Sequence, residues 1–387
     1  MLTYTPLSIK YKPKRFKDII GQSHISRIVQ NAIKLNKINH AYLINGIYGI
    51  GKTTIAKIMA ISFNCINLKN KISIIEPCFK CNNCILILNK KQNDIVEIDA
   101  ASNTGVNNIR LIINSFQYKP IDLFYKIFII DEAHMLSNSS FNALLKSIEE
   151  PPKYVKFILI TTLVSKLPMT VISRCQRLDL YRLATKNLII FLKNIVEKEG
   201  FYIEEEAAII LANSSKGSVR NALSFLDQTI LVSKNKKIFT QNIINIMGLI
   251  NNDIIYIIFT SLITSNIQKV LFFIRNLYYK GISLYNIITS IADITYKISL
   301  CQIGKIIDII SSSELKFCQE QSDNLSILII TRLWHMLNYI INSIYNSYNE
   351  LYAVEMGFIK IIYMNFSITL EDLLQLNNQI LIKKKIY

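Results

Sequence analysis

Three short apolar runs stand out in the first half of the chain: AYLIN (41–45), KIFIID (126–131) and KFILITT (156–162), each bounded by polar or turn residues. Runs of this length without polar alternation fit strands buried on both faces of a parallel sheet. Helix-period patterns lie between them, which predicts an α/β domain: a parallel sheet with flanking helices. The period changes at residues 183–232. Thr185 is placed to cap a helix with apolar positions at Leu188, Ile189, Leu192, Ile195 and Val196, ended by Gly200. A second helix is expected from about Glu204 to Ser214, with Gly217 as its stop, and a third from near Ser218, carrying Ala222, Leu223, Phe225 and Leu226. The basic stretch SKNKK (233–237) reads as a linker after this three-helix unit. Onward from about 240 the pattern is almost entirely helical, with few glycines and no proline, which predicts an all-α domain ending near 370, followed by a basic tail, ILIKKKIY. The expected domains are therefore 1–182, 183–238 and 239–370, with a short tail at 371–387.

The 387 residues are enough for two or three domains, each with its own core. At 51% hydrophobic, with a mean hydropathy of +0.29, the chain invites a membrane reading. No run reaches 18 apolar residues, and the most apolar stretch, IIYIIFTSLI (254–263), is too short to span. The opening MLTYTPLSIKYKPKRF has no apolar core of a signal peptide. The expectation is a cytoplasmic protein with no membrane segment. The net charge of +17, from 44 basic and 27 acidic residues, points to a polyanionic partner such as nucleic acid. The abundance of Ile, Lys, Asn, Tyr and Phe also follows from AT-rich coding, so both readings of the charge stand.

The glycine-rich stretch GIYGIGKTT (46–54) follows the first apolar run and precedes a helical pattern, TIAKIMAISF. That is the context in which G-x-x-x-x-G-K-[ST] cradles phosphates. Gly46, Gly49 and Gly51 let the backbone curl, with Ile47, Tyr48 and Ile50 between them, so that N–H groups face phosphate oxygens. Lys52 reaches the β- and γ-phosphates of ATP, Thr53 offers a hydroxyl to Mg²⁺, and Thr54 continues the helix N-terminus. IFIIDEAH (127–134) supplies the complementary half: Asp131 at the end of a strand for the Mg²⁺ shell, and Glu132 beside it as general base. A helix-capping Asp-Glu pair is the plain alternative, weakened by the loop upstream. Thr162, at the end of the third run, is a candidate for orienting the water or γ-phosphate. Arg174 and Arg220 are candidate cations for the transition state.

Four of the seven cysteines fall within CINLKNKISIIEPCFKCNNC (65–84). A cluster in a chain without a leader points to a metal before a disulfide, and isolated Cys175, Cys301 and Cys318 read as reduced thiols. Cys65 at a helix end and Cys78, Cys81 and Cys84 on a turn can fill a tetrahedral site with no open position, which is the form of structural zinc. An iron–sulfur cluster is the rival for C-x2-C-x2-C, though no C-x3-C-P follows, and unliganded cysteines are a third reading. Zinc would staple an insertion at about 62–92.

Taken together, GIYGIGKTT, DAASNTGVNNIR (99–110), IIDEAHMLS (129–137), FNALLKSIEEPP (141–152), KLPMTVISRC (166–175) and KGSVRNALS (216–224) resemble the gamma/tau family of bacterial DNA polymerase III clamp-loader ATPases, which are AAA+ proteins. YKPKRFKDIIGQ (11–22) is similar to the family's opening motif, with Lys12 where arginine is usual. The resemblance is strong over 5–230 and general beyond. It implies an AAA+ ATPase module with a zinc-binding insertion, a three-helix lid and a helical collar that assembles a five-subunit ring. It makes Lys52 and Thr53 ligands of ATP·Mg²⁺, Asp131 and Glu132 the Walker B pair, Thr162 sensor 1 and Arg220 sensor 2. Arg174 would be an arginine finger acting in trans on a neighbour's ATP site. Asn221 stands where the family usually has Asp, and Leu163-Val164 where Asp-Pro is common. The implied activity is ATP hydrolysis that opens a sliding clamp and loads it on primer-template DNA, within a complex that as a whole is a DNA-directed DNA polymerase. The implied partners are the delta and delta-prime subunits, the clamp and the DNA. The chain length matches the shorter gamma form, without the tau contacts to the polymerase core and helicase. A branch-migration helicase and a non-hydrolysing loader subunit are the alternative functions.

Overall fold

The computed structural model describes residues 4–70, 76–89, 93–102, 113, 115–116, 118–233, 236–247, 250–304 and 312–365. The chain forms two compact units, Met1–Ile238 and a second from Phe239 onward.

The first unit is built on a five-stranded parallel sheet of β1 (Ala41–Asn45), β2 (Ile95–Asp99), β3 (Lys126–Asp131), β4 (Val155–Thr161) and β5 (Gln176–Asp179), in the order β2-β3-β4-β1-β5. The three predicted runs are its three central strands, and every residue of β4 is buried. β4 is shifted one residue toward the N-terminus of the predicted run. The two edge strands, β2 and β5, were not predicted. An edge strand has only one neighbour and keeps polar residues, here Glu97 and Asp99 in β2 and Gln176, Arg177 and Asp179 in β5, so the apolar signal disappears. The register aligns Asp99 with Asp131 and places Asn45 level with both Thr161 and Asp179. The carboxyl ends of all five strands thus form one edge, where open α/β sheets bind ligands.

One face of the sheet carries Phe128 and Phe157, which pack with Phe116 at ring separations of 4.4 and 5.1 Å from it. Helix Asn138–Glu149 covers this region with buried Phe141, Leu144 and Ile148. Helix Lys52–Asn64, following β1, is buried nearly throughout. The expected three-helix unit is present as Thr185–Lys198, Glu205–Ser214 and Val219–Val232. Thr185 is not a cap. Ala184 takes that position and its carbonyl accepts from Asn187 and Leu188, so the Thr185 hydroxyl already lies inside the first turn. Ser218 does cap its helix, accepting from the Asn221 N–H at 3.3 Å. The expected linker is partly structured: Lys237–Ile238 pairs in parallel with Tyr202–Ile203, because the extended chain there finds backbone partners. Residues 234–235 of that linker lie outside the described residues, as do 103–110 of the DAASNTGVNNIR stretch and the expected tail at 371–387.

The second unit is all helical among the described residues, from Thr240–Met247 to Glu350–Asn365. Helix Ile327–Asn346 is long and apolar enough to cross a membrane by length and composition. It buries the stripe Ile330, Leu333, Leu337, Ile340 and Ile344 in the unit's own core, as a bundle helix does, and exposes Thr331, Arg332 and His335 together with Leu328, Trp334 and Tyr339. It meets helix Glu350–Asn365 at Gly357, where an added Cβ would lie 2.6 Å from Ile340 Cδ1 and closer still to Cγ1. Ile340 is buried and β-branched, so it has no rotamer to yield into. Gly357→Ala is therefore expected to destabilise this unit by about 2 kcal/mol through overpacking, a larger effect than the ~1 kcal/mol that alanine gains in helix propensity. Urea unfolding checks the sign: the midpoint of the variant should fall.

Candidate functional site

The loop between β1 and helix Lys52–Asn64 is wound tightly by two glycines at positive φ, Gly49 at +73° and Gly51 at +107°. A Cβ on Gly49 would stand 3.0 Å from Arg220 Cβ and would collide with Ser218 Oγ, and a Cβ on Gly46 would stand 3.0 Å from Leu180 Cβ. Only glycine permits both the turn and this approach. The Arg220 N–H donates to the Gly49 carbonyl at 3.1 Å, tying helix Val219–Val232 to the loop. Lys52 is buried, and its Nζ donates to the carbonyls of Gly46 (3.0 Å) and Ile47 (3.1 Å). Burial pushes its pKa down, while the charges of Glu132 and Asp131 act in the opposite direction. The ammonium is thus held inside the loop, facing where an anion would sit, with the N-terminus of a 13-residue helix at Thr53 and Thr54 beside it.

Thr53 Oγ1 donates to Asp131 Oδ2 at 2.7 Å, joining a hydroxyl from the helix start to a carboxylate from the end of β3. Hydroxyl and carboxylate oxygens are the hard donors that suit Mg²⁺, which also needs open positions for waters and phosphate oxygens. Glu132 follows in a left-handed conformation, φ +46°, that turns its side chain away from the strand direction. Thr162 Oγ1 donates to Glu132 Oε2 at 3.3 Å, and His134 Nδ1 lies 3.3 Å from the same oxygen and 3.1 Å from Thr161 Oγ1. A carboxylate anchored by a hydroxyl and an imidazole can accept a proton from water with little reorganisation.

These groups line one end of a cavity of about 580 Å³, within the size range of small-molecule sites. The rest of its lining is largely apolar, Ile9, Pro13, Ile19, Ile20, Phe191 and Leu223 with Ile50 from the loop, beside Ser8, Tyr11, Lys12 and Asp18. A charged, Lys-containing end and an apolar slot suit a phosphorylated ligand with a flat base. Arg220 stands at the rim, its Nη1 donating to the Tyr48 hydroxyl at 3.0 Å and its guanidinium 5.5 Å from that ring's centroid. Tyr48, Gly49, Ile50, Gly51, Lys52, Thr53, Thr54, Asp131, Glu132 and Arg220 all line the cavity; Gly46, Ile47 and Thr162 do not, the first two bonding to Lys52 and the third to Glu132. Arg174 does not: it is half-buried, with Nη1 on the Thr170 carbonyl and Nη2 on Glu149, both at 2.8 Å. Residue-level reasoning missed His134, Asp99 and the whole N-terminal wall. YKPKRFKDIIGQ was the one available signal for that wall.

Cys65, Cys78, Cys81 and Cys84 place their four sulfurs within 4.8 Å of one another, and Cys65 and Cys78 are 3.6 Å apart. Four thiolates at ~2.3 Å from one Zn²⁺ would stand about 3.8 Å apart at the edges of a tetrahedron, so the set fits a single tetrahedral ion. Four irons would hold their cysteines further apart. Hydrogen bonding with Cys84 draws the Cys65 thiol down to about 4, and the same bond pushes Cys84 up. Cys65 closes helix Lys52–Asn64, and Asn83 Nδ2 donates to the Asn64 carbonyl at 3.0 Å. A small apolar cluster of Ile61, Leu68, Ile33, Phe79 and Ile87 surrounds the sulfurs.

Family models match three stretches of the chain: DNA polymerase III delta subunit over 21–184, the DNA polymerase III clamp loader subunit ATPase lid domain over 190–235, and domain III of DNA polymerase III subunits gamma and tau over 238–382. DNA polymerase III subunit gamma of Buchnera aphidicola subsp. Baizongia pistaciae is 35% identical over 349 residues, covering 90% of each chain. Subunit tau of Bacillus subtilis is 44% identical over 232 residues, covering 60% of this chain and 40% of that one. Subunit tau of Escherichia coli is 36% identical over 303 residues, covering 78% and 46%. The chain thus spans less than half the length of these tau relatives and most of the Buchnera gamma. Among solved structures, the Thermotoga maritima RuvB Holliday junction branch migration motor is 20% identical at a TM-score of 0.45, over 65% of this chain and 79% of that one, a likeness too slight to bear on function.

Proposed function

We propose, since the chain belongs to the gamma/tau family of DNA polymerase III subunits, that it is an ATP-hydrolysing subunit of the clamp loader, which opens the sliding clamp and places it on primed DNA. The observation that carries this reading is the convergence of Lys52, Thr53, Asp131 and Glu132 in one cavity whose remaining lining is largely apolar. The loop N–H groups and Lys52 hold the phosphates, and Thr53 and Asp131 hold Mg²⁺. When bound, Mg²⁺ neutralises charge on the β- and γ-phosphate oxygens. Glu132 accepts the proton of the attacking water, with Thr162 fixing its carboxylate. Arg220 covers the γ-phosphate from the rim.

Arg174, half-buried and outside its own cavity, is the group offered to a neighbouring subunit's ATP, which makes hydrolysis depend on assembly. The neighbours are the delta and delta-prime subunits in a five-membered ring, assembled through the helical domain that begins at 239. The charge of +17 supports contact with the DNA backbone, read by charge and shape. The cysteine knuckle holds structural zinc, and the protein works in the cytoplasm. The regions 1–182, 183–238 and 239–370 act as ATPase module, lid and collar.

Reconstituting the ring from this chain and its partner subunits tests the proposal. ATP turnover should rise when primed DNA and clamp are added together, and Arg174→Ala should lower the stimulated turnover by roughly 10³-fold, as loss of an arginine finger does. Turnover indifferent to both clamp and DNA would reject the loader reading.

A further inference from the structure

Part of the cavity wall has no strand or long helix of its own. It is a stretch of N-terminal chain, Lys12, Pro13, Asp18, Ile19 and Ile20, organised around the single 3₁₀ turn Phe16–Asp18. A turn this short leaves its first N–H groups without internal partners and cannot hold its place alone. Its partner comes from 60 residues away: Glu76 Oε2 accepts from the Phe16 N–H at 2.9 Å, and Oε1 accepts from the Lys17 N–H at 3.1 Å and from Gln30 Nε2 at 3.2 Å. Both carboxylate oxygens cap one turn, the arrangement in which charge-assisted bonds are strongest. Beside them, the Arg15 guanidinium lies 5.5 Å from the centroid of the Phe79 ring.

Glu76 and Phe79 flank Cys78 at the start of the cysteine knuckle. The knuckle is fastened to the C-terminal end of helix Lys52–Asn64 through Cys65 and the Asn83–Asn64 bond. The N-terminal end of that helix carries Lys52 and Thr53. The two ends of the cavity are therefore joined through one helix, with the phosphate end at its start and the apolar end reached by way of the knuckle.

We propose that the cysteine knuckle positions the base side of the nucleotide cavity: Glu76, by holding the backbone of Phe16 and Lys17, sets the wall of Asp18, Ile19 and Ile20 against which a purine base packs. This rests on the reading of the cavity as an ATP site and adds to it a function for the knuckle beyond stapling the insertion. Glu76 is a positioning residue and touches no substrate.

The test is equilibrium binding to the full chain, with a fluorescent ATP analogue displaced by ATP or by inorganic tripolyphosphate, which has no base. Glu76→Ala should raise the Kd for ATP roughly tenfold and leave that for tripolyphosphate within about twofold. Metal content should stay at the wild-type level. Glu76→Gln keeps one accepting oxygen and should show a smaller rise; if Glu76→Ala does not fold, this variant carries the same comparison. A parallel loss for both ligands, or an unchanged ATP Kd, overturns the proposal. Wild-type protein that binds neither ligand, or Lys52→Ala that binds both as well as wild type, rejects the nucleotide site itself, and the proposal falls with it.

Discussion

Glu132→Gln will leave ATP bound and stop its turnover. Glutamine preserves the length of the side chain and its Oε1 still accepts from Thr162, which lies 3.3 Å from Glu132 Oε2. In the proposed site Lys52 and the loop are the phosphate-binding groups and Thr53 and Asp131 the pair for Mg²⁺, so the substitution touches none of the proposed binding groups. What disappears is a carboxylate able to take a proton. Positioned general bases contribute about 10²–10⁴-fold, and single-turnover hydrolysis should fall by that factor while the ATP Kd holds. The backbone geometry adds to the argument. Glu132 sits at φ +46°, a conformation that costs a side-chain-bearing residue about 1 kcal/mol and persists only where the surroundings impose it. Here the carboxylate of Asp131, the last residue of β3, accepts from the Glu132 N–H at 2.9 Å and from the Thr53 hydroxyl, and the strained turn aims the next carboxylate at the cavity. Glu132→Gln protein that turns over ATP at the wild-type rate would remove Glu132 from the role of base and leave the Asp131–Thr53 pair without a hydrolytic partner.

Cys84→Ser will cost the knuckle its metal and the first unit much of its stability. Cys84 is fully buried, and a serine hydroxyl does not ionise to replace a thiolate ligand. Three thiolates then remain for an ion that structural sites hold with four. The cluster around the sulfurs is small, and metal binding supplies on the order of 10 kcal/mol in knuckles that cannot build their own core. Because helix Lys52–Asn64 anchors the knuckle, part of that loss passes into the first unit, and a loss of 3–4 kcal/mol there lowers a thermal midpoint by about 10 °C. Elemental analysis should find one zinc per wild-type chain and much less in the variant, with the drop in midpoint alongside. Iron in place of zinc, or a variant with full zinc and an unchanged midpoint, would contradict a structural zinc site.

The sequence by itself determined what is local. β1, β3 and β4 are legible because a central strand of a parallel sheet is buried on both faces and so reads as an uninterrupted apolar run. The phosphate loop is legible because its glycines, Lys52 and Thr53 are contiguous and their spacing is dictated by one strand–turn–helix. Asp131 and Thr162 follow from the ends of adjacent strands, and the four cysteines from their own spacing. Tertiary structure decided everything that joins distant segments. It set which residues complete the cavity, since Arg220 meets Tyr48 across 172 residues and part of the wall comes from an N-terminal segment without a periodic pattern. It brought Thr162 to the carboxylate of Glu132 across 30 residues, and it left Arg174 half-buried and outside the cavity. It also joined Glu76 to the backbone of Phe16 and Lys17, a contact with no sequence signature because its partners are N–H groups that every residue but proline carries. Backbone geometry and burial act on neighbours along the chain and leave a pattern there; a cavity wall is chosen by packing, after the elements already exist.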